Sequence, residues 1–288
     1  MGVQAQSRLC LTFDDGSVDS VAGYTWPQRS AMLLGALQRA EVQAAFFVCG
    51  KRVDSPAGDS LVQSWNDAGH LIANHTYSHA WLNSAKVSAA EYTADIRRND
   101  SIVRGYENFY PLFRFPYLKE GNTAAKRDSV RAALTEMGYR NGHVTIDASD
   151  WYYNSRLIKH LANTDEPDLA TIRRLYLAHM LDRACFYDSL AYALEGRRVA
   201  HSLLMHDNLI NALFLDDLIN MFRAEGWHII DAETAFADPI YRRTPDIVPA
   251  GESLIWSLAK LSGRFDDILR YPGEDGQYEA AVLDAAGY

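Results

Sequence analysis

Residues 9–16 read Leu9-Cys10-Leu11-Thr12-Phe13-Asp14-Asp15-Gly16. An apolar run, Leu9 to Phe13, predicts a strand; two adjacent carboxylates follow it, and a glycine lets the chain turn. Neighbouring strand residues point to opposite sides. One Asp can therefore ligate a cation while the other faces a different part of the same cleft. The plain alternative is a turn, since Asp-Gly is a common turn dipeptide. Outward from this stretch, Pro27 to Ala40 predicts a helix, with proline in the first turn and Leu33, Ala36, Leu37 and Ala40 on one face. Ala44 to Cys49 is a second strand, closed by Gly50.

The alternation continues. Helical patterns cover Leu61 to Ala68, Ala89 to Phe109, Thr123 to Met137 and Leu213 to Ala224. Strand-like runs cover Leu71 to Ala73, Leu112 to Phe115, His143 to Ile146, Ser202 to Met205 and His228 to Ile230. Strand–helix alternation of this kind predicts a mostly parallel sheet or barrel. In such folds the chemistry gathers at the C-terminal ends of the strands. Two segments break the rhythm. Tyr152 to Arg198 is mostly helical in pattern, with a start signal at Thr164-Asp165-Glu166-Pro167. Asp238 to Tyr288 holds one clear helical stretch, Leu254 to Leu261, and a Gly/Pro/acid-rich end.

Four further motifs follow apolar runs, where a barrel would collect them. His75-Thr76-Tyr77-Ser78-His79 places two imidazoles four apart, expected on one face of a helical turn at the spacing of paired ligands. One Asp with two His leaves coordination positions open for water and substrate. Arg114-Phe115-Pro116-Tyr117 offers a guanidinium that can hold a carboxylate ionised. Its proline fixes the backbone so that the next N–H can aim at an oxyanion. Asp147-Ala148-Ser149-Asp150-Trp151 and Leu203-Leu204-Met205-His206-Asp207 complete the set. Taken singly, each has a plain reading as a cap, an edge strand or a core strand. Their shared position after strands is what argues for a site.

Composition narrows the field. The chain has 288 residues, enough for one catalytic domain with extensions. Its formal net charge of -9 disfavours nucleic acid or anionic lipid as the main partner. No run reaches the roughly 18 apolar residues of a membrane span, and no export signal is visible. Met1 to Arg8 reads as a trimmed start, so a removed signal would place the chain in the periplasm or outside the cell. Cys10, Cys49 and Cys185 are odd in number and widely spaced, which argues against a disulfide framework. His70, His143, His160, His179, His201 and His228 have no partner at ligand spacing and are expected at surface or satisfied core positions.

Together the five motifs, in order from Leu9 through Asp207, resemble the NodB-homology polysaccharide deacetylases, carbohydrate esterase family 4. The resemblance implies an α/β fold, a distorted, incomplete (β/α) barrel. Residues 1–237 would form the catalytic domain, with a mainly helical insertion at about 152–198, and 238–288 a C-terminal extension. It further implies that Asp14 is the catalytic base, tethered by Arg114. Asp15, His75 and His79 would ligate one divalent metal, zinc first, with cobalt or another divalent ion as alternatives. Thr76 would stabilise the ligand loop. The N–H of Tyr117 would meet the oxyanion, and His206, oriented by Asp150, would be the acid. Trp151 and Leu204 would line the pocket for the acetyl methyl. The expected substrate is an N-acetylated oligo- or polysaccharide such as chitin oligosaccharide or a peptidoglycan-like polymer, with no protein partner evident.

The competing expectations are acetylxylan esterase chemistry, an inactive carbohydrate-binding relative, and a non-haem iron oxygenase; the last gives no role to Asp14, Arg114 or His206. The segment Tyr152 to Arg198 is expected to wall off one end of the groove, with Tyr152 or Tyr153 exposed to substrate.

Overall fold

A computed structural model describes residues 6–164, 167–270 and 276–288. In chain order the elements are β1 (Arg8–Asp15), α1 (Trp26–Ala40), β2 (Ala45–Val48), α2 (Gly50–Val53), α3 (Pro56–Asp67), β3 (Leu71–Asn74), α4 (Ala89–Val103) and β4 (Phe109–Phe113). A 3-10 turn at Pro116–Leu118 leads to β5 (Lys119–Gly121), α5 (Ala124–Glu136), β6 (Arg140–Asn141), α6 (Asp150–Asn163), α7 (Leu169–Glu195) and β7 (Ala200–His206). Then follow α8 (Leu209–Ala224), β8 (His228–Ile229), α9 (Ala232–Phe236), β9 (Ala250–Gly251), α10 (Leu254–Ser262) and α11 (Gln277–Ala285).

The main sheet is parallel and runs β6-β4-β3-β2-β1-β7, with β8 also pairing β1. It curls into an incomplete barrel wrapped by helices. Every side chain of β2 and β3 is buried, as expected of strands covered on both faces. The core includes Phe13, Phe46, Phe47, Trp65 and Phe222, with the Phe46 and Trp65 rings stacked at 4.7 Å. All five active-site motifs of the sequence lie at or just beyond the C-terminal ends of strands or on the loops beside them.

Three element expectations are corrected. First, the helix from Ala89 ends at Val103 rather than Phe109, and Phe109–Phe113 is a strand. Gly105 weakens the helix there, and the residue before Pro111 is pushed toward extended backbone. Ser88 and Glu91 form the capping box that fixes its start. Second, His143 to Ile146 is no regular strand. It makes a single bridge, Ile146 with Leu203, because side chains replace the ladder: the Ser202 hydroxyl donates to the His143 carbonyl and the Ser202 N–H to Thr145 Oγ1. Third, the His75 and His79 pair sits on a loop, not on a helical turn.

The start signal Thr164-Asp165-Glu166-Pro167 lies partly outside the described residues. Among those described, Asp168 caps α7 by accepting from the N–H groups of Ala170 and Thr171. One face of α7, including Ile172, Tyr176, Met180, Ala184 and Tyr187, joins the main core. Tyr153 belongs to that core too, at 3% exposure, so it does not face substrate as expected; at its position α6 turns inward onto α7. Tyr152 is half-buried and its hydroxyl accepts from Arg156. Helices α10 and α11 are packed into the same core through Leu254, Ile255, Leu258 and Leu283. The start of α10 also bonds segment 143–146: the Leu254 N–H donates to the Val144 carbonyl and the Ser253 hydroxyl to that of Thr145.

Candidate active site

The site begins where β1 ends. Asp14 is buried, and its Oδ1 accepts from Arg114 Nη1 at 2.6 Å. Arg114 leaves β4 and reaches under the sheet end, donating also to Thr12 Oγ1 (2.8 Å) and to the Gly142 carbonyl (2.9 Å), while its plane lies 3.8 Å from the Phe47 ring centroid. A guanidinium so bonded and stacked has one orientation, and it fixes the Asp14 carboxylate in turn. Burial raises the Asp14 pKa above the ordinary carboxylate value, and Arg114 opposes that rise.

Asp15 points the other way along the strand end. Its Oδ1 stands 3.3 Å from His79 Nε2 and 3.8 Å from His75 Nε2. The Nδ1 of His75 faces the Arg114 carbonyl at 2.9 Å, which assigns the hydrogen to Nδ1 and leaves the lone pair on Nε2. Burial brings both His75 and His79 down to about 4, so both rings are neutral at neutral pH. Asp15 is held below the ordinary value: burial works against its charge, but His79, His206, Arg52 and His75 outweigh it. Asp15 Oδ1 is buried and has no hydrogen-bond partner among the described residues. Asp15, His75 and His79 each offer a ligand atom within 4.8 Å of the others. Two neutral imidazoles and an orphaned carboxylate oxygen are a donor set that fits a divalent cation.

The loop carrying the two imidazoles is shaped by its own polar groups. Thr76 Oγ1 accepts from the His79 N–H at 3.0 Å, and Asp95 Oδ2 accepts from the N–H groups of Tyr77 and Ser78. Asp15, Thr76, His79, Tyr117 and Leu118 all have positive φ, five of the eight non-glycine residues that do so among those described. Such backbone costs about 1–3 kcal/mol each and persists only where the surroundings enforce it. Gly50, the first residue of α2, lets this loop close: a Cβ there would meet Asn99 Oδ1 at 2.4 Å and Tyr77 Cδ2 at 2.7 Å. The Tyr117 ring packs edge-on to His79 at 4.6 Å and is half exposed.

Across the strand end, His206 pairs with Asp14 in the β1–β7 register, so the two backbones are about 4.8 Å apart. His206 Nδ1 is 2.8 Å from Asp150 Oδ1. The other oxygen, Asp150 Oδ2, accepts from the His206 N–H and from the side-chain amides of Asn208 and Asn211. Tyr176 of α7 donates to Asn211 Oδ1. Burial alone would lower the His206 pKa. Asp150, through charge and hydrogen bond, prevails together with Asp15 and Asp14, and brings it up to about 10. This imidazole carries its proton at neutral pH.

A cleft of about 200 Å³ opens in front of these groups, lined by Asp15, Arg52, Trp151, His206 and Asn208 among others. Trp151 thus borders the cleft, half-buried at the start of α6. Leu204 is buried in β7, two residues before His206 and on the same side of the strand, and is not among the residues lining that cleft. Sequence reasoning passed over Arg52, which stands 3.4 Å from Asp15 Oδ2. It also passed over Arg29, whose buried guanidinium donates to the carbonyls of Asp19 and Ser17 and shapes the cleft's near wall. Asn208 and Asn211 were missed as well, although Asn208 directly follows the His206-Asp207 pair and that adjacency was the available signal. The six remaining His residues show no ligand cluster among the described residues. His70 Nδ1, for example, accepts from the Ala44 N–H, and His201 is bonded by Asp188 and Thr145.

A curled parallel half-barrel with a two-His, one-Asp cluster at its strand ends defines the class, and the comparisons supply the family. Residues 2–142 match the polysaccharide deacetylase family. A chitin deacetylase of Colletotrichum lindemuthianum is 27% identical over 158 residues, covering 54% of this chain and 57% of its own length. A peptidoglycan-N-acetylglucosamine deacetylase of Bacillus cereus is 32% identical over 151 residues, covering 52% and 48%. The crystal structure of a polysaccharide deacetylase from Bacillus cereus superposes with a TM-score of 0.56 at 21% identity, covering 78% of this chain and 92% of that one. Over residues 2–142 the chain is similar to the NodB-homology polysaccharide deacetylases, carbohydrate esterase family 4. It spans about half the length of the curated relatives it matches.

Proposed function

We propose that the chain is a metal-dependent deacetylase that removes acetyl groups from an N-acetylated carbohydrate, chitin oligosaccharide or a peptidoglycan-like polymer. The observation that carries this reading is the orphaned Asp15 Oδ1 facing two neutral imidazole Nε2 atoms, with a tethered carboxylate on one side and a protonated imidazole on the other. Asp15, His75 and His79 would hold the cation, zinc in the first instance, with cobalt or another divalent ion as alternatives. When bound, such an ion acts as a Lewis acid on the acetyl carbonyl and acidifies water.

The rest falls to the side chains. Asp14, held by Arg114, takes the proton of the attacking water. The Tyr117 N–H supports the developing oxyanion. His206, kept protonated by Asp150, gives its proton to the leaving amine. Trp151, which borders the cleft, shapes the space for the acetyl methyl. Residues 1–237 form the catalytic domain in this reading, with the segment about 152–198 inserted and 238–288 appended. The amide substrate is favoured because the two quoted relatives are named as deacetylases of chitin and of N-acetylglucosamine in peptidoglycan.

The test is acetate release from chitin oligomers, peptidoglycan fragments and acetylxylan, before and after chelation. Chelator-sensitive release from the first two is expected. Release from acetylxylan alone would make the chain an O-deacetylase, and release from none would make it an inactive carbohydrate-binding relative.

A further inference from the structure

Behind the Asp150–His206 pair lies a second carboxylate–imidazole pair that none of the active-site motifs contains. Ser149 precedes Asp150 and caps α6, its carbonyl accepting from the N–H groups of Tyr152 and Tyr153. The Ser149 N–H donates to His179 Nε2 at 3.1 Å. An imidazole that accepts at Nε2 carries its hydrogen on Nδ1 when neutral. That Nδ1 faces Glu279 Oε1 at 3.8 Å. Burial, helped by Arg183 and Arg270, brings His179 down to about 3, so the ring is neutral. Both side chains are buried, with His179 at 8% and Glu279 at 2% exposure. Glu279 is steadied by Arg270 Nη2 at 3.3 Å, and the His179 ring lies on Tyr153 with centroids 4.9 Å apart.

The origin of these groups matters. His179 comes from the middle of α7 and Glu279 from α11, both outside residues 2–142, where the family match lies. The cluster reaches the one residue whose placement sets where Asp150 begins its helix. Asp150 in turn has its full set of partners on the His206 side. A shift of Ser149 therefore translates directly into the direction of the Asp150 carboxylate.

We propose that His179 and Glu279 are positioning residues for the acid: His179 holds the Ser149 N–H, Glu279 stands behind the ring at its Nδ1, and together they fix Asp150, and through it the aim of the His206 proton donor. On this account the helical segment and the tail carry part of the acid's support. The proposal rests on the reading of His206 as general acid.

Its test compares Glu279→Gln, Glu279→Ala and His179→Leu with the unmodified holoenzyme on two substrates, an N-acetyl oligosaccharide and 4-nitrophenyl acetate. The amide leaving group needs a proton and the phenolate does not. Each variant is expected to lose about tenfold in kcat on the amide, a part of the roughly 10²–10⁴-fold a general acid contributes, with the ester rate within about twofold and KM unchanged. Glu279→Gln keeps the side chain's size and keeps the assay interpretable if His179→Leu does not fold. Equal losses on both substrates, or none on either, would overturn the proposal. A second readout is independent of turnover: the low-field Nδ1–H proton resonance of His206, identified by its disappearance in His206→Ala. It should broaden or move upfield in Glu279→Gln and Glu279→Ala. An unchanged resonance overturns the proposal, even where the unmodified protein releases no acetate and the parent reading has failed by itself.

Discussion

His75 and His206 are imidazoles at the same strand ends, His75 buried and His206 partly exposed to the cleft, and they are poised in opposite states. His75 hands its Nδ1 hydrogen to a neutral carbonyl, that of Arg114, and burial carries it down to about 4. His206 hands its own to a carboxylate, Asp150, and is lifted to about 10. The ring is the same, and although the His206 side chain is more open (21% against 2% exposure), it is the partner of Nδ1 that sets the direction. A carbonyl leaves a neutral ring with a free lone pair, which suits a ligand. A carboxylate leaves a charged ring, which suits a proton donor.

The largest effects should come from the ligand side. His79→Ala or chelation is expected to remove bound metal and abolish acetate release, with zinc or cobalt restoring it to the chelated protein. Asp14→Asn should keep its metal and lose about 10²–10⁴-fold in turnover. Metal content measured beside rate separates the two, and equal metal loss in both variants would collapse the distinction between Asp14 and Asp15. Full activity in verified metal-free protein would sink the mechanism.

On the acid side the effect is selective. His206→Ala should slow N-acetyl hydrolysis by about 10²-fold or more, while an activated acetate ester, whose leaving group needs little protonation, changes far less. Equal losses on the two substrates would remove His206 from the acid's role.

Titration should divide the pair further. His206 is raised above its unfolded value, so its contribution to stability is present in full below about pH 6.5 and is lost as pH rises through about 10. N-acetyl hydrolysis should accordingly decline on the alkaline side through that range. Asp150→Asn should draw the decline down toward the ordinary histidine value. His75 and His79 are lowered, so the unfolded chain binds protons that the folded one refuses between about 6.5 and 4, and stability drops as pH falls through that window. A pH–rate profile of Asp150→Asn that overlays the parent's would break the comparison.

The smallest effect belongs to Asn208→Ala. It removes one of four hydrogen bonds to Asp150, and an activity loss of a few-fold with about 1 kcal/mol of stability is expected. Thermal melts read the second quantity.

Much of this was legible in the chain itself. β1, α1 and β2 follow from the apolar run before Asp14, the proline at position 27 and the Phe46-Phe47 pair, because local pattern and burial agree there. Four of the motifs also announce themselves by following a strand, while Asp147 to Trp151 follows the irregular segment 143–146. The His pair misled, since spacing of four also suits a loop whose turns are made at positive φ by Thr76 and His79. Phe109 was drawn into a helical pattern that Gly105 and Pro111 forbid. Arg52, Asn211, His179 and Glu279 carry no local signal at all: each matters through a partner brought near by tertiary packing alone, and no spacing rule spans the stretch of chain from His179 to Glu279.

One feature of the sheet bears on how the molecule is made. β1 is an interior strand, and along most of its length one edge is covered only by β7, whose Ala200–His206 lies some 190 residues downstream. During synthesis at about 5–20 residues per second, the Leu9–Asp14 edge is exposed for tens of seconds before its mate leaves the ribosome. Unpaired strand edges are templates for intermolecular pairing. A truncated chain stopping at residue 142 would therefore be born with an adhesive flank, and expression of that piece alone should yield aggregate.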